Sequence, residues 1–250
     1  MSKRRFWTEG LGSFIIAIAI ALLVRWAFME AYVIPSGSML PTLLVRDHIF
    51  VNKVVYGVRV PFTERWIVRL NEPQPGEVVV FKYPQDISQF YIKRVVGVSG
   101  DRIFYENGNL YVNERLVEKR VPQKRAGDAA WLRDADFLGE EASGAVQNYV
   151  HWEESLGERT YSTLLRKGEP VNLSFGPYTV PEGHFFVLGD NRDNSQDSRA
   201  WGEDKRFVPR DHLVGRAMFV WLSCEQTLPV LTFLCHPFHL RWGRFFHRVQ

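Results

Sequence analysis

The chain has 250 residues, 46% of them hydrophobic and 24% charged, with a formal net charge of +3. That is the composition of an ordinary folded protein, long enough for one or two domains with a real core and too weakly basic to argue for a nucleic-acid partner. The two cysteines, Cys224 and Cys235, have neither zinc-site nor CxxC spacing, which leaves two buried fillers or one disulfide in an oxidising compartment.

In chain order, Lys3, Arg4 and Arg5 precede an uncharged run from Leu11 to Val24. The run is shorter than the ~20 residues needed to span a bilayer, but Phe6, Trp7 and Trp26 to Met29 extend it, and Arg25 can snorkel to the interface. Residues 1–30 therefore read as a short N-terminus and one transmembrane anchor. A cleavable signal peptide is the competing reading, disfavoured because no small-x-small site follows Val24. The basic cluster keeps Met1 inside and puts the remainder outside the membrane.

Directly after this segment, Pro35 to Leu43 reads PSGSMLPTL. Two serines around a glycine, between two prolines, lie on a stiff loop that can approach a ligand closely. Such a loop can present a nucleophile, and equally it can be an ordinary turn. Chemistry requires a base from elsewhere.

From there the hydrophobic pattern has period two, over His48 to Tyr56, Glu77 to Tyr83, Phe90 to Val98, Arg102 to Tyr105, Leu110 to Val117, His184 to Leu188 and Leu213 to Leu222. The predicted fold is mainly β. Asn107-Gly108 between two such runs predicts a hairpin. Residues 31–121 and 176–236 read as two parts of one β core. Between them, residues 122–175 turn acidic and the alternation weakens, which reads as an inserted lobe.

Two further stretches carry candidate chemistry. In the run Tyr91 to Val96, a lysine at 93 between apolar neighbours would lose its hydration; desolvation disfavours the ammonium and would make a neutral base available. A solvated Lys93/Arg94 pair guarding an edge strand is the alternative. The stretch Gly189 to Gly202, GDNRDNSQDSRAWG, has Arg192 where a calcium loop needs an oxygen ligand and lacks the loop's Gly and Glu, so no metal is assigned. Its alternating charges instead predict a rigid knot held by internal ion pairs. The tail, residues 237–250, has no acidic residue; on a helical wheel Phe238, Trp242, Phe245, Phe246 and Val249 oppose Arg241, Arg244 and Arg248, which predicts an amphipathic helix that lies on a membrane or on the β core.

PSGSMLPTL after an N-terminal apolar segment, then GEVVVFKYP and YIKRVVGVSGD, then GDNRDNSQDSRAWG, resemble in this order the sequence boxes of bacterial type I signal peptidases, membrane-bound Ser/Lys serine proteases that remove signal peptides from exported preproteins. The resemblance covers the anchor and about half of the remaining chain. It implies Ser38 as nucleophile, Lys93 as general base, Ser36 as oxyanion-hole donor beside the Ser38 backbone N–H, Ser195 as a partner orienting the lysine amine, and Asp197 with Arg199 as a structural ion pair near the site. Tyr32, Ile34, Pro35, Met39, Leu43, Tyr91 and Ile92 are similar to the family's pocket-lining positions. It further implies a mainly β catalytic core with an inserted lobe, no cofactor, and a single-pass protein of the cytoplasmic membrane with its catalytic domain outside. The partners would be preproteins with small residues at −1 and −3, the lipid bilayer and the export machinery. A self-cleaving Ser/Lys protease of the repressor type and an anchored binding or scaffold module are the alternatives; the first lacks support from any DNA-binding helix pattern, and the second would not need Ser38 and Lys93 together.

Overall fold

The computed structural model describes residues 12–18, 28–60, 63, 65–122, 127–137, 144–168, 174–229 and 234–250. Residues 12–18 are helical, and among the described residues no helix is long and apolar enough to cross a membrane. Most of the predicted anchor lies outside the described residues.

The period-two runs become strands. The first half of the chain forms β1 (Met29–Val33), β2 (Asp47–Asn52), β3 (Gly57–Arg59), β4 (Trp66–Arg69), β5 (Val78–Tyr83), β6 (Asp86–Val98), β7 (Arg102–Glu106), β8 (Asn109–Val112), β9 (Arg115–Leu116) and β10 (Glu118–Arg120). The second half adds β11 (Tyr149–Leu156), β12 (Arg159–Arg166), β13 (Ser174–Thr179), β14 (His184–Leu188), β15 (Val208–Pro209), β16 (Leu213–Ser223) and β17 (His247–Arg248). The largest sheet runs β1-β2-β16-β5-β6-β14-β15, with β17 paired to β16; smaller sheets are β10-β11-β12, β13-β7-β8-β9 and β3-β4.

Local chemistry explains where the strands stop. The expected run His48 to Tyr56 ends at Asn52, whose side-chain oxygen accepts the N–H groups of Val54 and Val55 and draws the chain into a 3-10 turn over Val54–Tyr56. Leu110 to Val117 is interrupted because Asn113 and Glu114 take positive φ, 51° and 61°, and separate β8 from β9. The Asn107-Gly108 hairpin is present as expected, with φ of 50° and 79° joining β7 to β8.

The structure excludes one alternative, adds detail to the acidic stretch and corrects one expectation. The strand bearing Lys93 and Arg94 is not an edge: β6 lies between β5 and β14, and the two side chains are 4% and 0% exposed. Residues 122–175 contain more regular structure than their composition suggests, since Tyr149–Leu156 and Arg159–Arg166 pair over their full lengths. Their alternation is hard to see because polar Glu154, Ser162 and Thr163 are among the buried residues. Finally, the tail is not an amphipathic helix. It forms 3-10 turns at Pro237–His239 and Trp242–Arg244, then β17. Its sidedness reverses the helical-wheel reading of a buried apolar arc in part: Phe238, Trp242 and Phe246 are 91%, 69% and 76% exposed and Arg241 and Arg244 are buried, while Val249 packs on the core and Arg248 is exposed.

The arginines are buried because each finds an enclosed carboxylate. Arg241 pairs with Asp136 at 2.7 Å and Arg244 with Asp47 at 2.6 Å. Both also donate to the loop between β1 and β2, Arg241 to the Val45 carbonyl and Arg244 to the Thr42 carbonyl. That loop carries the two candidate serines. Beneath it, Ile34, Met39 and Leu43 pack with Ile49, Val51, Val78, Val80, Ala217 and Val220.

Candidate active site

Ser38 is presented by a single 3-10 turn, Gly37–Met39, set on the buried side chains of Met39 and Leu43. Its orientation is fixed from behind. The Asn191 backbone N–H donates to the Ser38 carbonyl at 3.2 Å, and the Asn191 side-chain amide donates to the Gly37 carbonyl at 3.1 Å. Gly189 lies so close that an added Cβ would press into the Ser195 side chain and come within 2.5 Å of the Ser38 carbonyl oxygen.

Lys93 arrives from the middle of β6, opposite Val79 of β5. Its Nζ is 2.5 Å from Ser38 Oγ and 5.7 Å from the centre of the Tyr91 ring. Enclosure lowers the Lys93 pKa from 10.5 to about 8, with burial as the main cause; Asp197 and Asp190 oppose the shift and Arg199 assists it. About a tenth of the amines would then be neutral near pH 7. This is a serine hydroxyl within hydrogen-bond reach of an amine tuned toward neutrality.

The residues next in sequence perform a different task. Arg94 points to the opposite face of β6 and grips Asp190 through Nε at 2.8 Å and Nη2 at 2.7 Å, a bidentate fork with no exposed surface. Thr42 Oγ1 donates to the same carboxylate at 2.6 Å. One ion pair thus joins the lysine strand, the serine loop and the stretch 189–202.

Asp197 and Arg199 form the expected pair, at 2.8 Å and buried. Burial would raise the Asp197 pKa, but the Arg199 guanidinium and the Gly189 N–H more than offset it, and the carboxylate is held below its ordinary value. Arg199 also donates to the Arg192 carbonyl at 2.5 Å. The predicted set of internal ion pairs is otherwise corrected: Asp190 pairs with Arg94, and Arg192 pairs with Glu154 of β11 at 2.6 Å. The stretch is stiff because it is bonded to three surrounding segments. Leu164 of β12 completes the frame, its N–H donating to Asp190 O and its carbonyl accepting from Arg192 N.

Among the predicted supporting residues, Ser36 is exposed, with its Oγ 3.4 Å from Ser38 Oγ. Ser195 Oγ is shielded from solvent beside Gly189 and Asp197, and the hydrogen-bond partner of the lysine amine is Ser38. The pocket candidates divide by exposure. Tyr32, Tyr91 and Ile92 are partly exposed and Pro35 is exposed, whereas Ile34, Met39 and Leu43 are enclosed and support the floor from below. Asn191, Thr42, Glu154, Arg241 and Arg244 were not singled out from sequence as parts of this frame. Asn191 and Thr42 lie inside the quoted stretches 189–202 and 35–43, and Arg241 and Arg244 were read only as one side of the tail; all acquire their roles through partners far away in the chain.

A family model described as signal peptidase, peptidase S26, matches residues 7–222, a span that contains both Ser38 and Lys93. The chain belongs to the signal peptidase family, peptidase S26. Its activity is the removal of signal peptides. It is 39% identical to signal peptidase I of Pseudomonas aeruginosa over 89% of this chain and 75% of the relative. Against signal peptidase I of Pseudomonas fluorescens the identity is 38%, over 90% and 76%. Signal peptidase I of Rickettsia massiliae is 35% identical over 86% and 80%. The crystal structure of a signal peptidase I from Enterococcus faecalis aligns with a TM-score of 0.33 and 24% identity, over 59% of this chain and 97% of that one.

Proposed function

We propose that the chain cleaves preproteins by serine-lysine acyl transfer, Ser38 being the nucleophile and Lys93 the general base. The observation that carries this reading is the 2.5 Å approach of a buried lysine amine to a serine hydroxyl. Serine is a weak nucleophile until a base removes its proton, and a desolvated lysine fills that role without a histidine. The neutral Lys93 amine accepts the Ser38 hydroxyl proton as Oγ bonds to the scissile carbonyl carbon. The resulting ammonium donates that proton to the leaving amine, and water then hydrolyses the acyl-enzyme with Lys93 again acting as base. Negative charge on the carbonyl oxygen is met by the Ser38 N–H and the Ser36 hydroxyl, donors worth about 3 kcal/mol each in comparable sites.

Ser195, Asp197 and Arg199 act as positioning residues around the lysine. The preprotein lies extended along Tyr32, Pro35, Tyr91 and Ile92. Alternate side chains of an extended peptide enter the same wall, so small residues at −1 and −3 suit a shallow apolar surface. The N-terminal segment anchors the chain once in the cytoplasmic membrane with Met1 inside, and the catalytic domain meets its substrate at the outer bilayer surface beside the export machinery. No cofactor takes part. The test is cleavage of a preprotein with Ala at −1 by the purified chain. Ser38→Ala should abolish it, and a Ser38→Ala chain cleaving at the parental rate would refute the assignment.

A further inference from the structure

Far along the chain from the dyad residues, the two cysteines are joined. Cys224 follows β16 and Cys235 lies two residues before the tail, their Cα atoms 5.6 Å apart across a disulfide. A third side chain converges on them. His48 of β2 places Nε2 3.5 Å from Cys235 Sγ, and this nitrogen and both sulfurs all lie within 4.8 Å of one another. His48 is 7% exposed and Cys224 0%. The histidine is well held: its backbone is registered against Val33 of β1 and Leu222 of β16, and its ring meets Trp221 edge-on with centroids 5.6 Å apart.

This triangle is close to the dimensions of three corners of a tetrahedral coordination sphere. With Zn–S near ~2.3 Å and Zn–N near ~2.05 Å at tetrahedral angles, the sulfur-to-nitrogen edge is about 3.5 Å. That edge is already present between Cys235 and His48. Two sulfurs on one zinc stand about 3.8 Å apart, so the S–S bond itself is what keeps a metal out.

We propose that the Cys224–Cys235 bridge is the oxidised form of a redox-gated metal site, in which the two thiolates and His48 Nε2 bind a zinc-class divalent cation once the bridge is reduced. A dithiol reductant supplies the two electrons and two protons, becoming a disulfide as the chain's S–S bond becomes two thiols. Metal binding then releases both thiol protons and forms two metal–sulfur bonds and one metal–nitrogen bond, with water in the fourth position. The borderline-soft donor set favours zinc over calcium or magnesium. Since Arg241 and Arg244 of the tail hold the serine loop, a metal joining β2, β16 and the residues just before the tail would preserve the restraint that reduction removes.

The experiment takes the full chain, oxidised or reduced under anaerobic conditions, and titrates it with Co²⁺ and then Zn²⁺. One equivalent of Co²⁺ should produce a thiolate charge-transfer band in the reduced protein only, and Zn²⁺ should displace it. The band should vanish in Cys224→Ser and Cys235→Ser, and His48→Gln should weaken binding about tenfold or more. Zinc should also raise the melting temperature of the reduced chain and leave the oxidised chain unchanged. X-ray absorption of the reduced wild-type zinc form provides a readout independent of variant folding: two sulfur ligands and at least one nitrogen are expected. A missing band, equal binding by the oxidised chain, or a coordination shell without two sulfurs and a nitrogen would each overturn the proposal.

Discussion

A lysine enclosed between strands gives up the hydration that stabilises its ammonium, and at Lys93 two nearby aspartates only partly restore it. With the folded pKa at about 8 and the ordinary value at 10.5, folded and unfolded chains both carry the proton below about pH 8, and the fold then bears the whole cost. Between these two values the folded chain deprotonates first, so the cost fades as pH rises. Lys93→Met should therefore be inactive yet more stable at pH 7 by up to about 3 kcal/mol, less whatever the Ser38 hydrogen bond contributes. Denaturant unfolding of both proteins at pH 7 and pH 10 checks this, and the gap should narrow at the higher pH. On the same grounds, wild-type activity should climb through about pH 8 and level off above it. Gly189→Ala should lower both turnover and the melting temperature, because its Cβ would press on Ser195 and on the Ser38 backbone carbonyl, and activity with thermal unfolding of the variant checks both.

At the scale of elements, the serine loop is held on two sides by segments from distant parts of the chain. The tail holds one side. Arg244→Met would leave Asp47 buried with only Ser223 Oγ and the Leu44 N–H as partners, at a cost of about 3–5 kcal/mol. Adding Asp47→Asn should recover part of that loss, which urea denaturation of the single and double variants will show. The β11-β12 hairpin holds the other side, through Leu164 and the Glu154–Arg192 pair. Glu154→Gln should therefore reduce kcat more than it raises KM, since the altered pair lies behind Asn191 and does not line the exposed wall proposed to receive substrate.

Across the whole molecule, the disulfide closes a short loop between the end of β16 and the tail. Reduction in metal-free buffer should lower stability by about 2–3 kcal/mol, the range expected from loop closure. Calorimetry of the oxidised and reduced chains measures it directly. If the N-terminal segment anchors the chain as proposed, external protease should digest the domain beyond about residue 30 in spheroplasts; its protection would reverse the orientation.

The β class, the Asn107-Gly108 hairpin, the strand His184–Leu188 and the candidacy of Ser38 and Lys93 were legible in the sequence, because alternation, turn chemistry and motif spacing act over a few residues. The pairing of the two cysteines was left open there, since spacing along a chain does not specify a Cα separation; the fold decided it by running the tail back beside β16. The arginines show the limit most clearly. Periodicity assigned Arg241 and Arg244 to a solvated face, and Arg94 to a possible edge, because an isolated guanidinium belongs in water. Each is buried here by a carboxylate from elsewhere in the chain, Asp136, Asp47 and Asp190 respectively. Burial of a charge depends on its partner, and only the tertiary structure brings those partners together.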